Sequence, residues 1–228
     1  MISIDKFSYS YDGKTKVLNG LNLNLVTGSI HGVVGLNGAG KTTLLNAVFG
    51  LIKPDSGSST FETEPLTKRH IAFLPTENYF FPNITGNEYL SLFKNEAFDL
   101  DGWNRLFELP LDRIIDGYST GMKKKLALLG ILKMDKPIMI LDEPFNGLDI
   151  ESGRILRSIL LKLKEKGKTV IITSHIIESL TNMCDHFHYL DSGQIQFSKE
   201  KAEFDSFEKE LFEKLESRNR DAIDGLIS

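Results

Sequence analysis

Apolar and polar positions alternate in strand fashion near the start of the chain, where Leu21, Leu23 and Leu25 are separated by Asn22 and Asn24. Ile30 to Val34 reads as a buried strand that enters a glycine-rich turn. A helix is expected from about Lys41 to its stop at Gly50, Pro54 to Ser59 looks like a turn-rich connection, and Ile71 to Leu74 is another short strand. From Asn78 to about Gly130 the pattern becomes helical. Thr85 followed by Glu88 predicts a capping box, and Trp103, Leu106, Phe107 and Leu109 predict an apolar helical face.

After Pro137 strands and helices alternate again. Ile138 to Leu141 and Thr169 to Thr173 are strands, while Glu151 to Lys166 and a segment near Ile176 to Met183 are helices. Such alternation implies parallel strands joined by crossover helices. Phe187 to Leu190 and Gln194 to Phe197, joined by Asp191-Ser192-Gly193, predict a closing hairpin. Phe204, Phe207, Leu211 and Leu215 recur at helical spacing, so an amphipathic C-terminal helix is expected over 199–228. The fold class is α/β, with one main domain over 1–198: a core of 1–77 and 131–198, and a helical subdomain over 78–130.

Composition narrows the classes. With 41% hydrophobic residues, 25% charged and a net charge of −4, the chain is not of disordered type and has no global pull towards nucleic acid. No nucleic-acid partner is expected. Its single cysteine, Cys184, reads as a small buried hydrophobe and fits a reducing compartment. The longest apolar runs are of strand length, far short of a membrane span, and the first residues lack a signal-peptide pattern. A soluble, cytoplasmic chain is expected, with any membrane role supplied through a partner.

The chemistry starts at Gly35-Leu36-Asn37-Gly38-Ala39-Gly40-Lys41-Thr42, a P-loop pattern set between a predicted strand and a predicted helix. Glycines let successive backbone N–H groups and the helix N-terminus face a phosphate. Lys41 adds a point charge there, and the Thr42 hydroxyl is a candidate Mg²⁺ ligand. Asp142 and Glu143 end the apolar strand Ile138 to Leu141, 101 residues after Lys41. The strand delivers Asp142 to the sheet edge to hold Mg²⁺, and sets Glu143 to polarise an attacking water. ATP and Mg²⁺ are the expected substrate and cofactor.

With these residues in place the chain resembles the ATPase subunit of ATP-binding cassette (ABC) transporters from about Met1 to Phe197. Gly35 to Thr43 resembles Walker A, and Ile138 to Glu143 Walker B with its catalytic glutamate. Tyr118-Ser119-Thr120-Gly121-Met122 resembles the signature, 23 residues from Ser119 to Asp142. Asn146-Gly147-Leu148-Asp149 resembles the D-loop, and Ser174-His175 carries the switch histidine. Tyr11 stands where an aromatic stacks on adenine, with Tyr9 near enough to compete. The resemblance implies ATP hydrolysis for transport, a separate membrane permease, a homo- or heterodimer of ATPase chains, and a place at the inner face of the cell membrane. It also implies that Ser119, Thr120 and Gly121 serve the facing subunit's nucleotide.

Two departures stand out. The family's usual Leu-Ser-Gly-Gly-Gln has Tyr118, Thr120 and Met122 in place of Leu, the first Gly and Gln, and the form followed by basic residues is more like exporter-type subunits. Thr76 occupies the Q-loop position, where a water-mediated link to the metal is expected, with Glu77 as its rival. Lys123-Lys124-Lys125 reads as a solvated helix face. Tyr79, Phe80 and Phe81 read either as a permease contact or as packing between lobes. The rival functions are a soluble ATPase of the same fold outside transport, and a regulatory nucleotide-binding partner with little turnover.

Overall fold

The computed structural model describes residues 1–177, 180–207 and 209–213. β1 (Ile2–Ser10), β2 (Lys16–Leu25), β4 (Ser56–Phe61) and β5 (Glu64–Pro65) form an antiparallel sheet in the order β2-β1-β4-β5. β3 (Ile30–Val34), β6 (Ile71–Leu74), β7 (Ile138–Leu141), β8 (Thr169–Ser174), β9 (His186–Asp191) and β10 (Gln194–Glu200) form the second, in the order β10-β9-β3-β8-β7-β6. Its strands are parallel except β10, which folds back on β9 as the expected hairpin.

The inner strands β3, β6, β7 and β8 of the second sheet are buried on both faces and are largely apolar, whereas β10 at its edge alternates with solvent. Ile138 and Ile140 of β7 face a core shared with Leu21, Leu23 and Leu25 of β2 and with Leu44, Leu45 and Val48 of α1 (Lys41–Phe49). Met139 and Leu141, one residue out of phase, face the opposite core. There they meet Leu126 and Leu129 of α4 (Thr120–Lys133) and Leu156 and Leu160 of α5 (Ile150–Glu165). The helices α2 (Gly86–Ser91) and α3 (Leu100–Phe107) follow β6 and precede α4 along the chain. Thr85 and Glu88 form the expected capping box on α2: the Thr85 N–H donates to the Glu88 carboxylate at 2.7 Å, and the Glu88 N–H to the Thr85 hydroxyl at 3.2 Å.

Several expectations need correction. Residues 56–59 are not a turn but part of β4, because the backbone of β1 pairs with them from Asp5↔Ser58 to Ser8↔Ser56; pairing overrides the poor strand propensity of Ser-Gly-Ser-Ser. Residues 180–183 lie in turns rather than in a helix. On α3 only Phe107 is buried, Leu106 faces solvent, and Leu109 is buried beyond the helix end. α4 runs unbroken past 130 to Lys133, so its last turn crosses the boundary read from the sequence. Phe204, Phe207 and Leu211 are buried, with the Phe187 ring 4.1 Å from that of Phe204 and 5.1 Å from that of Phe207. Residues 204–207 and 209–213 are helical, while Leu215 falls outside the described residues.

Candidate active site

Four neighbouring parallel strands, β3, β8, β7 and β6, release their chains at one edge of the sheet. Gly35 follows β3, His175 follows β8, Asp142 and Glu143 follow β7, and Thr76 lies two residues past β6. Ligands of open α/β sheets bind outside the carboxyl ends of such strands. A cavity of about 620 Å³ sits there, lined among others by Tyr11, Asn37, Gly38, Gly40, Lys41, Thr42, Thr43, Thr76, Glu143, Asn146 and His175.

The cradle is shaped by glycine. Gly38 and Gly40 take positive φ of 81° and 104°, and a Cβ on Gly35 would stand 2.3 Å from the Leu190 carbonyl oxygen. Ala39 is buried, its N–H donating to the Leu36 carbonyl at 3.1 Å. The Lys41 ammonium bends back to donate to the carbonyls of Gly35 at 2.7 Å and Leu36 at 3.3 Å, and lies 3.9 Å from Glu143 Oε1. Burial holds its pKa below the ordinary lysine value, against the pull of Glu143 and Asp142.

Asp142 is fully buried and ringed by threonines. Its Oδ2 accepts from the hydroxyls of Thr42 and Thr76, both at 2.8 Å, and its Oδ1 from Thr173 at 2.6 Å. A fixed carboxylate beside a P-loop threonine hydroxyl is the donor set that suits Mg²⁺ arriving with a nucleotide, which needs one or two carboxylates plus phosphate oxygens. Thr76 touches Asp142 directly. Glu77 points elsewhere, accepting from the Tyr79 hydroxyl at 3.0 Å.

Glu143 backs onto this group. Its Oε2 lies 3.0 Å from His175 Nδ1, and its N–H donates to the Thr173 hydroxyl at 2.9 Å. Tyr11 lies at the cavity wall, 65% exposed, its hydroxyl 3.1 Å from that of Thr43, and Tyr9 meets it edge-on at 5.0 Å. Asp149 stands away from the cavity as the N-cap of α5, accepting from the Ser152 N–H at 2.7 Å and hydroxyl at 2.8 Å. These bonds hold its carboxyl below the usual range. Ser119 is the N-cap of α4, and neither it, Thr120 nor Gly121 is among the described residues lining the cavity.

Two contributors escaped the sequence reading. Thr173 is a buried hydroxyl inside the apolar strand Val170-Ile171-Ile172, and that mismatch was its signal. Lys124 is buried, not solvated. It shares a helical face with Ala127, Leu128 and Ile131, all buried, so the periodicity placed it inward even though its neighbours are lysines.

The sequence matches the family described as "ABC transporter" over residues 18–146. It is 31% identical over 209 residues to the lantibiotic transport ATP-binding protein SrtF of Streptococcus pyogenes, covering 88% of this chain and 91% of that protein. The chain spans 59% of a 31% identical uncharacterized ABC transporter ATP-binding protein of Nostoc, the match covering 80% of this chain. Its fold superposes with a TM-score of 0.82 on a structure described as the ATP-binding subunit of an ABC transporter, at 26% identity, over 88% of this chain and 90% of that one. The chain belongs to the ABC transporter family, as one of its ATP-binding proteins.

Proposed function

We propose that this chain hydrolyses ATP with Mg²⁺ to drive an exporter-type ABC transporter whose membrane-spanning permease is a separate chain. The observation that carries the reading is Glu143, held between Lys41 and His175 at the rim of the buried Asp142. The P-loop amides and Lys41 bind the phosphates and meet charge that develops on them. Glu143 orients water for in-line attack on the γ-phosphorus, and His175 orients Glu143. Asp142 and Thr42 would hold Mg²⁺, whose part is to neutralise phosphate charge.

No described helix is long and apolar enough to cross a membrane, which supports a separate permease and a peripheral place at the inner face of the cell membrane. Tyr79 and Phe81 are 85% and 66% exposed, and suit a permease contact; Phe80 instead packs on Tyr89 at 4.9 Å. That Ser119 and Gly121 are not among the described residues lining their own chain's cavity supports a homo- or heterodimer in which each signature serves the facing site. The basic residues after Thr120-Gly121-Met122 support the exporter type. The test is to tag this chain and purify it from detergent-solubilised membranes. A membrane-spanning protein should follow it, phosphate release should require Mg²⁺, and Phe81→Ser should free the chain with its turnover intact. A chain that hydrolyses ATP but brings down no membrane protein would refute the transport reading.

A further inference from the structure

α4 starts at the signature turn and, five residues on from Ser119, sends a buried lysine to the loop that carries Glu143. Lys124 is 6% exposed, and its ammonium donates to the carbonyls of Glu143 at 2.7 Å and Asn146 at 2.8 Å. An ammonium taken out of water loses hydration that only well-placed acceptors offset. Burial lowers its pKa to about 8, although Glu143 and Asp142 favour the charged form. An apolar residue would fit this helix face without that cost, as Ala127, Leu128 and Ile131 do. The charge is spent on two carbonyls that bracket one turn.

That turn needs a bracket. Glu143 has φ of 48°, a left-handed conformation that is unfavourable for a residue with a Cβ. It persists where neighbours over-determine it. Thr173 holds the Glu143 N–H, while the Asn146 N–H, at 3.3 Å, shares the Glu143 carbonyl with Lys124. The next residues of both elements also touch. Lys125 lies 3.8 Å from Asp149, and a Cβ on Gly121 would stand 3.3 Å from the Gly147 carbonyl oxygen.

We infer that Lys124 is a positioning residue for ATP hydrolysis, clamping the left-handed turn from Glu143 to Asn146 and coupling the Glu143 carboxylate to the signature turn of its own chain. This rests on the ATPase reading above. A nucleotide that pulls on Ser119 and Gly121 from the facing subunit would then reset the water-orienting carboxylate through one buried side chain. The clamp acts through hydrogen bonds to carbonyls, so its essential feature is a pair of donors on a stem of suitable length.

Lys124→Met and Lys124→Gln test it, because both are unbranched and of similar size, and only glutamine can donate. In the full chain, both should bind ATP as the parent does. Lys124→Met should turn over about 100-fold more slowly, since small misplacements of a catalytic group cost that much, while Lys124→Gln should recover most of the loss. Amide hydrogen exchange over residues 144–147 should be faster in Lys124→Met than in the parent, and intermediate in Lys124→Gln. Parent-like turnover in Lys124→Met, or equal losses in both variants with ATP binding lost too, would overturn the inference. If the parent chain itself proved unable to hydrolyse ATP, the ATPase reading would fall. Unchanged exchange at 144–147 would independently sink the clamp.

Discussion

The phosphate cradle and the loop after β7 each hold a buried lysine, and the two are held in the same way for different ends. Lys41 donates to the carbonyls of Gly35 and Leu36, and Lys124 to those of Glu143 and Asn146; burial depresses both amines. Lys41 rests on its own loop at the edge of an open cavity, so on the proposed ATPase reading an arriving phosphate would take over its ammonium. Lys124 is not among the described residues lining that cavity, and its ammonium is committed to its two carbonyls. A buried charge is thus a binding group where its partners can be exchanged, and a fastener where they cannot.

The sharpest way to break the cradle alone is Gly35→Ala. Its Cβ would collide with the Leu190 carbonyl, and backbone rather than a pliant side chain would have to shift. ATP binding should fall by well over ~100-fold and the melting temperature should drop, as overpacked sites usually lose about 1–3 kcal/mol. Parent-like affinity by nucleotide titration would show that the loop has more slack than its contacts indicate. Lys41→Ala removes only the exchangeable charge. Loss of a charge-assisted contact of about 1.5–3 kcal/mol should weaken ATP binding by ~10–100-fold while leaving amide exchange over 144–147 unchanged. Accelerated exchange there would mean that the two lysines are not independent.

Histidine sharpens the contrast, because burial here keeps the base neutral. His31 and His188, 3.0 Å apart, are linked onward to the Val26 carbonyl and the Ser198 hydroxyl. Burial lowers them from 6.5 to about 4 and about 3 respectively; the Val26 carbonyl works against the shift at His31, and the neighbouring histidines add to it at both. The folded state therefore binds protons less readily than the unfolded one. Stability should be fully present above about pH 6.5 and fall as the pH drops towards about 4, by up to ~1.4 kcal/mol per pH unit for each histidine. Urea midpoints at pH 7, 6 and 5 measure this, and a flat profile would contradict it. The smallest effect is expected from Thr76→Val, which takes one of three hydroxyls from Asp142 at a cost of about 1 kcal/mol. A raised Mg²⁺ requirement with ATP affinity retained is the expected result. An unchanged one would mean that Thr42 and Thr173 hold Asp142 unaided.

Glycine geometry and buried-strand patterning made much of this legible from residues alone. The P-loop announces itself because the positive φ at 38 and 40 strongly favours glycine, and Asp142 because it follows so apolar a strand. The β4 strand hid behind serines, since its pairing with β1 is a long-range fact that local composition does not carry. The Glu143 clamp hid behind charge: three lysines in a row suggest solvent, and only the helical period, applied to each separately, sends the middle one inward. The direct reach of Thr76 to Asp142 could not be read locally, because it depends on where β6 ends relative to β7.

Glutamate and glutamine are nearly the same size, and only the carboxylate can take up the proton of an attacking water. Phosphate release by Glu143→Gln, measured beside its ATP affinity, therefore tests the central claim most directly. The account predicts ATP bound about as tightly as in the parent and turnover reduced by at least ~100-fold. Hydrolysis at the parent rate would contradict it.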